Sequence, residues 1–224
     1  MKIIVTGSEG IIGKIIFRAL KGAHHDVIGL DLALGHDLKD EEWLKSYFQS
    51  NNADSLINLF ALNEHIKDTS AMPKSIMDFD LESLDNYLQT NVTTLFSVCR
   101  NFAYNNKESS IINFSSIYGV RPPKSSLYSG SLKHVGYSVS KAAVIALSEY
   151  LAINLAPHIR VNTIIPGGVF NNQPEKFVTD YSDNCPMQRM ATPLDLLGVI
   201  NLLISKESSY ITGSTFRVDG GWLI

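Results

Sequence analysis

The sequence is poor in cysteine, in long apolar runs and in excess charge of either sign, and each shortage excludes a class of protein. Cys99 and Cys185 are the only cysteines in 224 residues. They are too few and too far apart for a disulfide framework or a zinc cluster, and they suit a reducing compartment as two inert, buried thiols. Nineteen Lys plus Arg against 22 Asp plus Glu leave a net charge of −3. The two signs are interspersed, so no basic footprint for nucleic acid exists. The most apolar stretches, residues 142–156 and 196–204, are interrupted by Ser148, Glu149, Asn154 and Asn201, well short of the ~20 unbroken residues of a membrane span. The opening apolar run meets Thr6-Gly7 too soon to be the core of a secretory signal, so a cytoplasmic protein is expected. His24, His25, His36, His65, His134 and His158 show no metal-ligand pairing, and no metal is expected.

What is present is an alternation of short β-branched runs with longer segments of helical period. Strands are expected at residues 2–6, 26–30, 55–59, 110–114, 160–164 and 215–218, and helices at 11–21, 40–50, 81–104, 137–155 and 193–205. That order builds a parallel sheet covered by helices, a doubly wound α/β domain. No repeat, low-complexity tract or Gly/Ser/Pro-rich linker divides the chain, so residues 1–224 are read as one domain. Residues 62–80, 120–136 and 171–190 resist assignment, and long connections of this kind usually line a site.

The first strand runs directly into Thr6-Gly7-Ser8-Glu9-Gly10-Ile11-Ile12-Gly13. Glycines at a strand-to-helix turn let the backbone approach a pyrophosphate, while the helix N-terminus offers free N–H groups and a positive dipole end. A tight turn with no ligand is the bland reading of the same letters. The second strand ends in Asp31, about twenty residues on, where a ribose 2′-hydroxyl would lie. No Arg or Lys stands between Asp31 and Lys39 to accept a 2′-phosphate, so NAD is favoured over NADP.

Tyr137-Ser138-Val139-Ser140-Lys141 opens a predicted helix and sets Tyr137 and Lys141 one turn apart on one face. A phenol titrates near 10, and acid/base work at neutral pH asks for about 3–4 kcal/mol of preferential phenolate stabilisation. An ammonium beside the hydroxyl could supply it. Tyr128 and Tyr150 have Leu132 and Asn154 at the same spacing and no such partner. Ser115-Ser116 follow a predicted central strand, at the end where open α/β sheets bind ligands. Asn91 falls inside a predicted long helix, a poor place for Asn on propensity.

Together Thr6-Gly7-x-x-Gly10-x-x-Gly13, Asn91, Ser115-Ser116-x-x-Gly119, Tyr137-x-x-x-Lys141, Pro166-Gly167 and Val218-Asp219-Gly220-Gly221 resemble the short-chain dehydrogenase/reductase family over nearly the whole chain. The resemblance implies a Rossmann-type fold, Tyr137 as general acid/base, Lys141 lowering its pKa and holding the nicotinamide ribose, and Ser116 bonding the substrate oxygen. It implies that Asn91 organises a proton relay behind Lys141. Gly7, Gly10, Ile11, Ile12 and Gly13 would meet the pyrophosphate, Asp37 and Leu38 would flank the adenine with Asn58 beneath it, and Pro166, Gly167 and the backbone at Val169 would meet the carboxamide. A homo-oligomer, dimer or tetramer, is implied too. The apolar Trp222-Leu223-Ile224 fits either a subunit contact or packing on its own core.

Several residues depart from the family pattern. Asn58-Leu59-Phe60-Ala61 stands for Asn-Asn-Ala-Gly, Asn171 stands for Thr, and Asp31 is followed by Asp37 so closely that the crossover helix after the second strand is missing. The expected reaction is hydride transfer between NAD(H) and a secondary alcohol or ketone. A basic, hydroxyl-rich stretch with Arg121, Lys124, Lys133 and His134 hints at an anionic polar substrate such as a nucleotide-linked sugar; a solvated loop is the plain alternative. Phe60-Ala61-Leu62-Asn63, Gly167-Gly168-Val169-Phe170-Asn171-Asn172 and Tyr210-Ile211-Thr212-Gly213 are similar to a subgroup associated with flagellin modification and surface-polysaccharide sugars. A sugar epimerase or dehydratase using bound NAD, and a dinucleotide sensor without chemistry, stay open.

Overall fold

β-Branched runs that are apolar on both sides need cover on both sides, and the chain supplies it with helices of opposite placement. The structure, a computed structural model, describes residues 1–63 and 72–224. His65 and the middle of the 62–80 stretch lie outside the described residues. Six strands, β1 (Lys2–Thr6), β2 (Asp26–Leu30), β3 (Ser55–Asn58), β4 (Ser109–Phe114), β5 (Ile159–Pro166) and β6 (Thr215–Val218), form one parallel sheet in the order β2-β1-β3-β4-β5-β6.

Alternation along the strands divides the core. Ile4, Leu56, Ile111 and Val161 pack under α2 (Glu41–Ser50), α4 (Thr94–Asn105) and α5 (Val135–Leu155). Ile3, Val5, Ile57 and Ile112 face the other way, onto α1 (Ile11–Gly22) and α7 (Leu197–Ile204). The chain leaves β1 toward β2 and later returns to β3 on the other side of β1. The carboxyl ends of β1 and β3 therefore flank a topological switch point, where such sheets bind ligands.

Three expectations need correction. The helix read over 81–104 is α3 (Leu81–Leu88) and α4 joined by a π-helical turn, Gln89–Thr93, centred on Asn91. The 171–190 stretch holds a helix, α6 (Glu175–Asp183). The late helix opens as a 3₁₀ turn, Pro193–Leu196, before α7. After β2 the crossover helix is indeed absent: Asp31 accepts from the Ala33 N–H and starts a three-residue 3₁₀ turn, Leu32–Leu34. No strand follows it before α2, which leaves β2 at the sheet edge. Trp222 stacks on Tyr181 at 4.2 Å and Leu223 is buried, so of the C-terminal apolar residues only Ile224 is exposed.

A polar line crosses the interior. Thr6 Oγ1 donates to Asn58 Oδ1 (2.9 Å), Asn58 Nδ2 to Asn113 Oδ1 (2.8 Å), and Asn113 Nδ2 to Ser148 Oγ (2.9 Å). All four residues are at most 2% exposed, and each buried polar group left unpaired would cost about 1–3 kcal/mol. We expect Asn113→Ala to lower the unfolding free energy by about 2 kcal/mol or more in urea titrations, whereas Asn201→Ala, at an exposed position of α7, stays within about 0.5 kcal/mol of the parent.

Candidate functional site

The strand ends and loops above the switch point enclose a cavity of about 370 Å³. One end is built by the turn from β1 into α1. Gly7 adopts φ +68°, and a Cβ on it would lie 2.5 Å from the Phe60 nitrogen; a Cβ on Gly13 would lie 2.0 Å from the Gly7 carbonyl oxygen. Glycine is thus required for α1 to start this close to β3. Gly10 caps α1 without a side-chain bond, which leaves the first-turn N–H groups unclaimed by a side-chain cap beside the cavity. Gly7, Gly10, Ile11, Ile12 and Gly13 all line it, with Asp31 at the same end. The Asp31 carboxylate is pinned by the N–H groups of Glu9 (3.0 Å) and Ala33 (2.9 Å).

The other end is built on β4 and α5. Ser116 starts a 3₁₀ turn by accepting from the Tyr118 N–H at 3.1 Å, and its hydroxyl stands near enough to the Tyr137 phenol to act on its pKa. Lys141 lies one turn along α5 from Tyr137, and its Nζ donates to the Phe114 carbonyl at 2.8 Å. Ser115 Oγ donates to the Lys141 carbonyl at 2.6 Å. A Cβ on Gly119 would sit 2.6 Å from the Lys141 carbonyl carbon, so the glycine lets the turn after β4 lie directly on α5. Ser116, Tyr137, Lys141, Pro166, Gly167 and Val169 all line the cavity.

Four expected residues stand elsewhere. Asn58 is committed to the polar line beneath the sheet. Asn91 accepts from the Leu62 N–H (2.7 Å) and donates to the Leu62 carbonyl (3.1 Å) and Ser140 Oγ (2.9 Å). It therefore joins the loop after β3 to α5 instead of facing the cavity. Leu38 is core beside Leu30, Leu44 and Phe48, and Asp37 is exposed, closing a turn on the Lys39 N–H at 2.9 Å. Neither lines the cavity, because the link after Asp31 is a short 3₁₀ turn that leads straight on toward α2.

The electrostatics also differ from expectation. Burial raises the Tyr137 phenol above its ordinary value, opposed by the nearby Ser116 hydroxyl. The Lys141 ammonium is 5.9 Å from the Tyr137 ring centroid and is bound to a carbonyl. Burial instead pulls Lys141 itself down to about 8. Of the basic stretch, Arg121 and Lys124 are exposed, while His134 is buried, stacked on Tyr87 at 4.5 Å and bonded to Ser83 at 2.9 Å. Only Lys133 reaches the cavity.

Several lining residues carry no motif signal, among them Tyr118, Gln173, Phe177, Tyr181 and Met190, and Tyr128, which the sequence sets aside for want of a lysine partner, lines the cavity too. The available clue was the three unassigned stretches, since each contributes lining residues: Asn63 from the first, Tyr128 and Lys133 from the second, Phe177 and Tyr181 from the third. Tyr128 donates to the Tyr118 hydroxyl at 2.8 Å, and burial pushes Tyr118 up to about 12.

Comparison with known proteins agrees with this architecture. A family model described as enoyl-(acyl carrier protein) reductase matches residues 24–223. A 3-oxoacyl-(acyl-carrier-protein) reductase FabG of Rickettsia bellii is 31% identical, over 99% of this chain and 96% of that protein. The post-translational flagellin modification protein A of Campylobacter coli is 40% identical over 50% of this chain and 45% of its own. A short chain dehydrogenase of Leptospira borgpetersenii, solved with bound NAD+, superposes with a TM-score of 0.88 at 28% identity, covering 100% of this chain and 93% of that one. The chain belongs to the short-chain dehydrogenase/reductase family, oxidoreductases that act on CH–OH and keto groups with nicotinamide dinucleotides.

The lysine yields a signed test. Between about 8, its value when folded, and 10.5, its ordinary value, the folded protein binds fewer protons than the unfolded chain, so stability rises with pH across that window. Below it the penalty of burying the charge is fully present. The stability of the parent relative to Lys141→Met should therefore be flat up to pH near 8 and then climb by on the order of 3 kcal/mol toward pH 10.5. Urea midpoints of both proteins across that range measure it, and a difference independent of pH contradicts the burial of the ammonium.

Proposed function

We propose that this chain is an NAD(H)-dependent oxidoreductase interconverting a ketone and a secondary alcohol, with Ser116, Tyr137 and Lys141 at the reacting end and Asp31 at the adenosine end. The observation that carries the proposal is the placement of Ser116, Tyr137 and Lys141 together at one end of a cavity whose other end is a glycine turn and a helix N-terminus. A pure dinucleotide sensor has no use for that hydroxyl pair. The glycine-lined approach, closed to any Cβ at Gly7 and Gly13, fits a pyrophosphate. A nicotinamide dinucleotide, when bound, supplies a carbon that accepts or gives hydride.

Ser116 and Tyr137 present two hydroxyls that can hold one substrate oxygen. Burial keeps the Tyr137 phenol protonated at neutral pH, which is the form that donates its proton to a carbonyl oxygen during reduction; oxidation runs the same transfer backward. Lys141, fixed by the Phe114 carbonyl, carries the positive charge behind that exchange. Asn91, through Leu62 and Ser140, positions the loop and helix that bring these groups together. Asp31 repels a 2′-phosphate and favours NAD over NADP. The NAD+ in the Leptospira structure supports that preference.

A sugar-linked substrate is supported by the local identity to the flagellin modification protein and by the polar lining of Asn63, Tyr118 and Asn171. A β-ketoacyl thioester is the second reading, favoured by the full-length likeness to FabG and by the Phe177, Tyr181 and Met190 wall. Cytoplasmic residence and a homo-oligomeric state accord with the family, and among the described residues no helix is long and apolar enough to cross a membrane.

Tyr137→Phe is expected to abolish turnover, by at least about a thousandfold, while NADH affinity measured by fluorescence stays within about threefold; substantial residual turnover would sink the assignment. Asp31→Ala should shift the NADPH to NADH affinity ratio upward by about tenfold, about 1.4 kcal/mol, in the same titration. Net NADH consumption with a keto substrate separates a dehydrogenase from an epimerase that retains its dinucleotide.

A further inference from the structure

A phenol in the cavity wall beside Ser116 accepts a hydrogen bond and has none to spend its own proton on. Tyr118 belongs to the 3₁₀ turn that Ser116 opens, and its N–H donates to the Ser116 hydroxyl at 3.1 Å. Gly119, the next residue, packs where a Cβ would lie 2.6 Å from the Lys141 carbonyl carbon. The turn therefore holds Tyr118 in fixed relation to Ser116 and α5, and Ser116, Tyr118 and Tyr137 all line the cavity. Tyr128, 1% exposed, lines it too and donates to the Tyr118 hydroxyl at 2.8 Å, the two ring centroids lying 6.4 Å apart.

A phenol oxygen can accept one hydrogen bond while donating its own proton. Tyr128 fills the accepting role of Tyr118, and among the described residues nothing accepts the Tyr118 proton. Burial pushes Tyr118 up to about 12, so that proton is present at neutral pH, and a hydroxyl that already accepts a bond is polarised into a better donor. Tyr128 is not available to a ligand in the same way, because its proton is given to Tyr118. The direction of that bond leaves one O–H in the wall for an acceptor on whatever binds beside Ser116 and Tyr137. In the proposed reaction those two hydroxyls hold the reacting oxygen, so the acceptor for Tyr118 is a different one.

We infer that Tyr118 is a specificity-determining residue that donates a hydrogen bond to a second substrate oxygen, a hydroxyl or carbonyl within a few bonds of the carbon that reacts. The inference rests on the proposed oxidoreductase function and narrows it to hydroxyketones, diols and β-keto compounds in preference to simple ketones and alcohols. A substrate without that oxygen leaves the Tyr118 proton facing carbon, and a site built to hydrogen-bond a substrate rejects the analogue that cannot answer. Proton transfer stays with Tyr137.

The test titrates the full chain, saturated with NADH, with ketones matched in shape: acetoin against 3-methyl-2-butanone, in which a methyl replaces the hydroxyl, and ethyl acetoacetate against 2-heptanone. Binding is read from NADH fluorescence before turnover. The expected result is tighter binding, by about fivefold or more, of the oxygenated member of at least one pair. Acetoin responding alone assigns a hydroxyl beside the reacting carbonyl, and ethyl acetoacetate alone a carbonyl one carbon further on. Tyr128→Phe keeps the Tyr118 hydroxyl and should retain the preference; adding Tyr118→Phe to it should erase the preference. Both variants should bind NADH within about threefold of the parent, which shows that they fold. A parent with no preference in either pair, a preference that survives in the double variant, or one already lost in Tyr128→Phe overturns the inference while leaving the oxidoreductase reading intact. Failure of the parent to bind NADH overturns that reading and the inference with it.

Discussion

The seating of α5 on the carboxyl end of β4 is the constraint on which the site depends. Three contacts enforce it: the Lys141 ammonium on the Phe114 carbonyl, the Ser115 hydroxyl on the Lys141 carbonyl, and Gly119 packed where a Cβ would strike that same carbonyl. Each joins the turn after β4 to the first half of α5. Because they fix one segment against the other, Ser116 and Tyr137 stand together at the cavity without either relying on a flexible loop. Asn91 adds a support from outside, since the π turn at residues 89–93 aims its amide at Leu62 and Ser140. A wide turn inside a helix interrupts its regular ladder, and such turns are frequent at functional sites.

The motif lysine consequently has a different first partner from the one its spacing suggests. One helical turn places Lys141 near Tyr137, and spacing alone argues for an ammonium acting on a phenol. In the fold the ammonium is drawn to a strand-end carbonyl, and desolvation governs both groups: the phenol rises and the lysine falls. The protein by itself thus favours the protonated form of Tyr137. The buried Thr6, Asn58, Asn113 and Ser148 line ties β1, β3, β4 and α5 together just below this region, so the sheet and the helix that carry Ser116, Tyr137 and Lys141 are coupled through hydrogen bonds as well as apolar packing.

Much of this was legible before any coordinates. The strand and helix order, the glycine turn, Asp31, the Ser115-Ser116 pair and the Tyr137–Lys141 spacing follow from period and spacing, because local sequence decides them, while the choice of Ser116 within its pair is what the family resemblance implies. Asp37 and Leu38 do not line the cavity because the link after Asp31 is a short 3₁₀ turn that leads straight on toward α2, leaving Asp37 exposed and Leu38 in the core. Asn58 has a family position at the cavity floor, yet its amide is more strongly claimed by Thr6 and Asn113 across the sheet. His134 read as part of a basic loop, while Tyr87, Phe79 and Ser83 take it into the interior. These outcomes depend on contacts between residues some fifty positions apart, which no window of sequence displays. The unassigned stretches marked where part of the cavity wall comes from without saying which side chains form it.

The central claim is that Tyr137 is a phenol held protonated by burial and placed to exchange that proton with a substrate oxygen. Ultraviolet difference titration of the parent against Tyr137→Phe, with and without NAD+, reads that phenol alone. The account predicts that in the protein by itself Tyr137 ionises above the ordinary tyrosine value of about 10, and that its ionisation moves down when NAD+ places positive charge beside it. Ionisation already complete near neutral pH in the protein by itself, or a titration that NAD+ leaves unchanged, would contradict it.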